Sequence, residues 1–139
     1  MKYLTLVIIL SIVITGLFGQ TLTKKEAAKS NIKSVSVWQT DMTDRKAKPV
    51  PESITRYDAA GNLTEITEHD KDGLITLHES YEYNENGFKT GEIQYWPDGK
   101  IQKKHVYKYT DGLRTERLTY DKNGKLIAQN KYVYEFHSK

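Results

Sequence analysis

The chain contains no cysteine, and this absence removes several kinds of chemistry at once. None of its 139 residues can form a disulfide, carry a lipid on sulfur or act as a thiolate nucleophile. Proline is also scarce, since only Pro49, Pro51 and Pro97 are present. Because proline interrupts the interior of strands, most of the sequence remains compatible with a sheet.

A strong excess of one charge is absent too. The 21 basic and 18 acidic residues give a formal net charge of +3, and without Lys2 the basic count falls to 20. This near balance requires neither nucleic acid nor an anionic membrane as partner. The C-terminal third interleaves basic residues with tyrosine, but Asp111, Glu116, Asp121 and Glu135 interrupt it. We therefore expect cross-strand charge pairing rather than nucleic-acid binding.

Long apolar runs are missing except at the start of the chain. Residues 1–20 have one positive residue, an apolar stretch from Tyr3 to Val13, and small residues around Gly16 and Gly19. This order is typical of a secretory signal peptide, and the stretch is shorter than the ~20 apolar residues of a membrane-spanning helix. The sequence predicts a periplasmic or secreted protein with no membrane association after cleavage.

Turn signals dominate the rest of the chain. Six glycines are spaced by 12, 14, 12, 13 and 12 residues: Gly61, Gly73, Gly87, Gly99, Gly112 and Gly124. Asp or Asn stands three positions before four of these six glycines. An Asp or Asn that accepts nearby N–H groups, followed by a glycine at positive φ, is typical of a type I turn that closes a hairpin with a bulge.

Segments of about eight residues rich in Thr, Ile, Leu, Val and Tyr separate these turns. They predict antiparallel strands joined as successive hairpins, and residues 34–38 add one more strand before a proline-containing loop at 40–51. The expected fold is all-β: one domain at 34–139, an antiparallel meander of about 7–8 strands, as a curved sheet or open barrel. Residues 21–33 are predicted to be a linker or a short helix, because Thr23 and Glu26 have capping-box spacing.

The segment from Tyr57 to Gly73, YDAAGNLTEITEHDKDG, resembles the YD repeats of bacterial RHS proteins and teneurins. Tyr120-Asp121 with Gly124-Lys125-Leu126 is a second partial match, and the resemblance extends over residues 53–136. It implies hairpin repeats like those of small exported bacterial proteins, and the short Tyr–Gly repeats of certain bacterial antitoxins are also similar. The resemblance implies no catalytic residues.

No catalytic, metal or cofactor site is predicted. The turns Asp70–Gly73 and Asn84–Gly87 lack the alternating ligands of a calcium loop. His69 and His78 flank one turn as possible cross-strand neighbours, but they have no third metal ligand, and no Gly-x-Ser-x-Gly motif is present.

Exposed aromatic residues are the remaining candidates for binding. A sugar or a partner protein can be recognised by an exposed ring in the turn near Trp96 or by the face of the sheet that carries the tyrosines, so the candidate ligand-binding residues are Tyr95, Trp96, Tyr107 and Tyr109. We expect an exported, non-catalytic binding or scaffolding protein whose partner is a protein or a glycan. The alternatives are an immunity-type inhibitor of a secreted toxin, or a small hydrolase or metal-dependent enzyme using His69, His78 and carboxylates.

Overall fold

The structure, a computed structural model, describes residues 22–137. The signal peptide expected at residues 1–20 lies outside these residues. The described chain forms one helix, α1 (Lys24–Lys29), and one antiparallel sheet whose eight strands follow each other in chain order: β1 (Ser34–Gln39), β2 (Val50–Tyr57), β3 (Leu63–His69), β4 (Ile75–Tyr83), β5 (Lys89–Tyr95), β6 (Ile101–Thr110), β7 (Leu113–Asp121) and β8 (Leu126–Lys131). The predicted all-β meander is confirmed, and the sheet is open, with β1 and β8 at its edges.

Five of the six hairpins have the predicted turn. In each, the glycine N–H donates to the carbonyl three residues earlier, and the glycine φ lies between 76° and 81°. The sixth differs, because Thr110 pairs with Leu113 and leaves only Asp111 and Gly112 in the turn, at φ 51° and 78°. This two-residue turn is one residue shorter, which explains the spacing of 13 rather than 14. The loop before β2 is also shorter than expected, because Val50 and Pro51 belong to β2.

One face of the sheet holds the buried strand residues other than Gly91: Ser53, Thr55, Tyr57, Tyr107 and Thr119. We call it the tyrosine face, because Tyr81, Tyr83 and Tyr109 also lie on it. Within residues 22–137 no second sheet covers either face. Buried apolar area is therefore small, and side-chain hydrogen bonds contribute a larger share of the cohesion than in a two-layer fold.

A hydrogen bond from a tyrosine hydroxyl recurs along the sheet. Tyr83, Tyr109 and Tyr134 each donate to the carbonyl 20 residues earlier, on Leu63, Lys89 and Arg114, at 2.7–2.9 Å. Each acceptor stands two residues after a turn glycine. Each bond ties an even-numbered strand, or the tail after β8, to the start of the odd-numbered strand before it. The repeating unit is thus a pair of strands of 25 or 26 residues.

The first repeat is closed by the segment that precedes β1. The Tyr57 hydroxyl accepts a hydrogen bond from the Leu22 N–H at 3.0 Å. Thr23 and Glu26 form the capping box at the start of α1, and Ala27 is buried. Because α1 has only six residues, its docking on the sheet must supply the stability that a short isolated helix lacks.

Gly61 permits this docking. A Cβ on Gly61 would overlap the Lys24 carbonyl oxygen, whereas a Cβ on Gly73, which has the same φ of 79°, would meet nothing within 4 Å. We expect Gly73→Ala to lower the free energy of unfolding by about 1–2 kcal/mol, through the left-handed backbone alone. Gly61→Ala should cost a further ~1–3 kcal/mol, because α1 must shift. Urea unfolding of both variants checks this, and equal losses would contradict the packing role of Gly61.

The recurring tyrosine bond can be tested with a matched pair of variants. Tyr109→Phe removes a hydroxyl that donates to Lys89 O and accepts from Arg114 Nη2 at 3.2 Å. We expect a loss of about 1–2 kcal/mol, because the Lys89 carbonyl loses its side-chain partner. Tyr120→Phe is the control, since the donors of the recurring bond are Tyr83, Tyr109 and Tyr134 and do not include Tyr120. Thermal unfolding that ranks the two variants equally would reject a special role for the Tyr109 hydroxyl.

Candidate functional site

A shallow groove lies on the face opposite the tyrosine face, near the turns that follow β5 and β7. It encloses about 370 Å³ and is lined by Ile101, Lys104, Val106, Tyr120, Asp121, Lys122 and Gly124. Ile101, Val106 and the Tyr120 ring provide apolar surface, while Lys104 and Lys122 add ammonium groups. An apolar surface with a few polar groups is the usual composition of a ligand site. We call these seven residues the groove.

Strand register brings the groove residues together. Lys104 of β6 lies directly opposite Tyr120 of β7, and Val106 lies opposite Leu118. Directly opposed residues share a face, and residues two apart on a strand share it too, so Lys104, Val106 and Tyr120 meet. The pairing of β5 with β6 shifts between Gln94 and Tyr95, so that Tyr95 lies opposite Ile101, the first residue of β6. Ile101 lines the groove at this end of β6.

Trp96 lies beside the groove in the β5–β6 turn. A second depression lined by Trp96, Asp98, Lys100, Ile101, Lys122 and Asn123 shares Ile101 and Lys122 with the groove. Trp96 is 45% exposed. A continuous surface therefore runs from an exposed indole ring to the Tyr120 ring, with Lys122 between them.

Trp96 departs from the turn pattern of the molecule. It accepts the glycine N–H through its backbone at the first turn position, where the other four turns of this type have Asp58, Asp70, Asn84 and Asp121. Those four side chains accept backbone N–H groups of their own turns. In the Trp96 turn, Asp98 accepts from the Lys100 N–H instead, at 3.0 Å. The indole therefore has no turn-stabilising task and is available to a ligand.

The lysines around the groove differ in their pairing. Lys100 contacts Asp98 at 2.9 Å, and this hydrogen bond lowers the pKa of Asp98 and raises that of Lys100. Lys104 and Lys122 take part in none of the ion pairs formed within residues 22–137. The two ammonium groups outnumber the single carboxylate that lines the groove, on Asp121, so the groove favours a ligand that carries negative charge.

The four residues predicted from sequence do not form one site. Tyr95 lies on the groove face, stacked on His78 with ring centroids 4.5 Å apart, and its hydroxyl bonds to Ser80 Oγ at 3.0 Å. Trp96 is in the exposed turn. Tyr107 and Tyr109 lie on the tyrosine face, in the half of β6 away from the groove. Only Trp96 of the four contributes to the surface described above.

Tyr107 and Tyr109 are engaged in contacts within the protein. The Tyr107 ring lies between Lys89 Nζ, 5.4 Å from its centroid, and the Arg114 guanidinium, 4.3 Å away. Its hydroxyl donates to Glu92, which Lys89 also contacts at 2.6 Å. Lys89 lies over the Tyr81 ring too, and Arg114 over the Tyr132 ring. Tyrosine rings and cations thus alternate across three repeats, and this row stabilises the sheet rather than offering a free surface.

The histidines do not converge. His78 pairs across the sheet with Thr67 and contacts Glu65 at 3.1 Å, while His69 pairs with Ile75. His69 and His78 are therefore not directly opposed, as the sequence had suggested they could be. Within residues 22–137, no group of three or more histidine or acidic side chains is arranged to hold a metal ion. None of the described residues forms a helix long and apolar enough to cross a membrane.

Sequence reasoning missed Lys104, Val106, Tyr120 and Lys122. Lys104 and Lys122 were counted only as part of a basic third of the chain, and Tyr120 only as the start of a repeat. The alignment of repeats carries the missing signal, because Lys104 stands 26 residues after His78, and Tyr120 stands 25 after Tyr95. No protein-family model matches this sequence, and a comparison with curated proteins gave no match.

The tyrosine face predicts a distinct dependence of stability on pH. Burial, reinforced by the Glu92 carboxylate, raises the pKa of Tyr107 to about 12, against ~10 in an unfolded chain. Between these values the unfolded state releases a proton that the folded state keeps, so the contribution of Tyr107 is complete below pH ~10 and is lost as pH rises toward ~12. Urea midpoints measured from pH 9 to 11.5 should fall less steeply for Tyr107→Phe than for the parent. Equal slopes would contradict this role, and Ile127→Ala, which removes no ionisable group, is the control.

Proposed function

We propose that the protein is an exported, non-catalytic binding module, and that the groove with Trp96 takes an acidic glycan. The observation that carries the proposal is the exposed Trp96, which stands where the other turns of its type have Asp or Asn and adjoins an apolar groove with two lysines. An indole ring stacks well on the apolar face of a sugar, and lysine ammonium groups attract its carboxylates.

Other observations support this proposal over catalysis. Ser80, which lies opposite Glu65, bonds to the Tyr95 hydroxyl at 3.0 Å and not to the His78–Glu65 pair, so neither member of that pair is hydrogen-bonded to the serine as a general base. Burial acts to raise the pKa of Glu92, but the contacts that its carboxylate makes with Lys89 and Tyr107 outweigh burial and lower this pKa. A carboxylate held in its charged form is poorly suited to act as a general acid near neutral pH. The proposed location, periplasmic or secreted, rests on residues 1–20, and the proposed kinship with YD repeats rests on the residues of the turns.

The glycan proposal can be tested by tryptophan fluorescence, because the chain has only two tryptophans. In a Trp38→Phe protein, Trp96 is the sole reporter. We expect oligogalacturonate to change its emission and a neutral malto-oligosaccharide of equal length to have a smaller effect. Lys104→Gln and Lys122→Gln should each weaken binding at least about threefold, as expected for removal of one exposed charge contact.

The role of the ring requires a separate binding measurement, because its replacement removes the reporter. By calorimetric titration, Trp96→Ala should bind oligogalacturonate about tenfold more weakly, a difference of ~1.4 kcal/mol. Lys71→Gln, in the β3–β4 turn outside the groove, is the control and should bind like the parent. No response to either oligosaccharide, or equal effects of Lys71→Gln and Lys122→Gln, would reject the groove as an acidic-glycan site.

A further inference from the structure

The two edge strands of the sheet, β1 and β8, each have one side on which no other described strand pairs. All six residues of β8 are exposed, and Leu126 and Ile127 are among them. At the other edge, five of the six β1 residues are exposed, and Trp38 is 60% exposed. The charged residues that usually protect a sheet edge are scarce here, because β1 has none and β8 has only Lys131.

Trp38 occupies a position at which each odd-numbered strand has a residue with an aromatic ring. The strand register shifts immediately before Trp38 in β1, His69 in β3, Tyr95 in β5 and Tyr120 in β7. In β5 the ring of Tyr95 stacks on His78 of the strand before it. In β7, Tyr120 lies opposite Lys104 of the strand before it. Among residues 22–137 no strand precedes β1, so Trp38 is the member of this series that has no earlier described strand to pack on.

Strand β8 offers the matching position. Gln129 pairs with Leu118 as Lys104 pairs with Ile93 and His78 with Thr67, so Gln129 is the β8 counterpart of the residue beside which Tyr95 or Tyr120 lies. No strand follows β8 in the described part of the chain. The row of rings and cations also ends here, since Tyr132 has Arg114 on one side only. Strand β8 thus presents half of a site that each earlier even-numbered strand completes with the next odd-numbered strand.

We propose that β1 of a second copy of this chain pairs with β8, so that the sheet continues from one molecule into the next. Strand direction allows it, because β1 is antiparallel to β2 and every even-numbered strand runs as β2 does. The contact joins two different surfaces, so it leaves a free β1 and a free β8 at the ends of each assembly and permits further growth. Trp38 of the second copy packs beside Gln129, as Tyr120 packs beside Lys104 within one chain.

The repeat also determines the register of the contact. His105 pairs with Thr119, and Glu79 pairs with Gln94, in each case one residue before the ring. Their counterparts are Asn130 in β8 and Val37 in β1. Val37 of the second copy is therefore opposite Asn130. Directly opposed residues of antiparallel strands have Cα atoms ~4.5–5.5 Å apart, within the range that a disulfide spans.

The chain has no cysteine, so introduced thiols report on this register directly. The protein is produced from its full sequence as the single variants Val37→Cys, Asn130→Cys and the exposed turn control Asp72→Cys. Under mild air oxidation, an equimolar mixture of V37C and N130C should form disulfide-linked dimers at least about tenfold faster than V37C with D72C. The double variant V37C/N130C should give a ladder of dimers, trimers and longer species on a non-reducing gel.

Two outcomes of the cross-linking overturn the proposal. If N130C alone cross-links as fast as the mixture, β8 pairs with β8 in a closed dimer. If no combination exceeds the D72C control, these edges do not meet at this register.

Sedimentation velocity gives a second test: the average mass of the parent should rise with concentration, Trp38→Ala should suppress the rise, and Trp96→Ala should leave it unchanged. A parent that remains monomeric at every concentration, or a Trp38→Ala protein that associates like the parent, also overturns it. Circular dichroism spectra that match the parent show that each variant is folded.

Discussion

The hydrogen bond from a tyrosine hydroxyl to a carbonyl 20 residues earlier is the interaction on which the rest of the sheet depends. A sheet with no second layer buries little apolar surface, and the described chain has few buried residues. The recurring bond joins the end of each repeat to the start of its first strand. It also places the inner tyrosines, such as Tyr107, where Lys89 and Arg114 can lie over their rings.

The groove lies where the sequence departs from the repeat pattern. Four turns of one type begin with Asp or Asn, which stabilise the turn, and the fifth begins with Trp96. Lys104 likewise replaces a histidine that, one repeat earlier, is held by Glu65 and Tyr95. In a repetitive scaffold, the positions that lose a structural partner become available to a ligand.

The first and the last repeat of the sheet end in different ways. At the first repeat, Leu22 bonds to Tyr57, and α1 docks beside Gly61. At the last repeat, Tyr134 makes its usual bond to Arg114, but no further strand of the described residues lies beside Tyr132 and β8. Repeat proteins normally need terminal units that differ from the inner ones, because an uncovered inner unit promotes association. The exposed β8 and the exposed Trp38 of β1 are consistent with that requirement being met by a second copy.

The sequence by itself determined the all-β meander, because turn glycines preceded by Asp or Asn and strands of period two are local signals. It also singled out Trp96, the member of the predicted aromatic set that adjoins the groove. The remaining decisions belong to the tertiary structure. Strand pairing puts Tyr95 and Tyr107 on opposite faces and brings Lys104 beside Tyr120, and register shifts of one residue place Lys89 and Arg114 around Tyr107. Such shifts depend on pairing between strands, so no single stretch of sequence contains them.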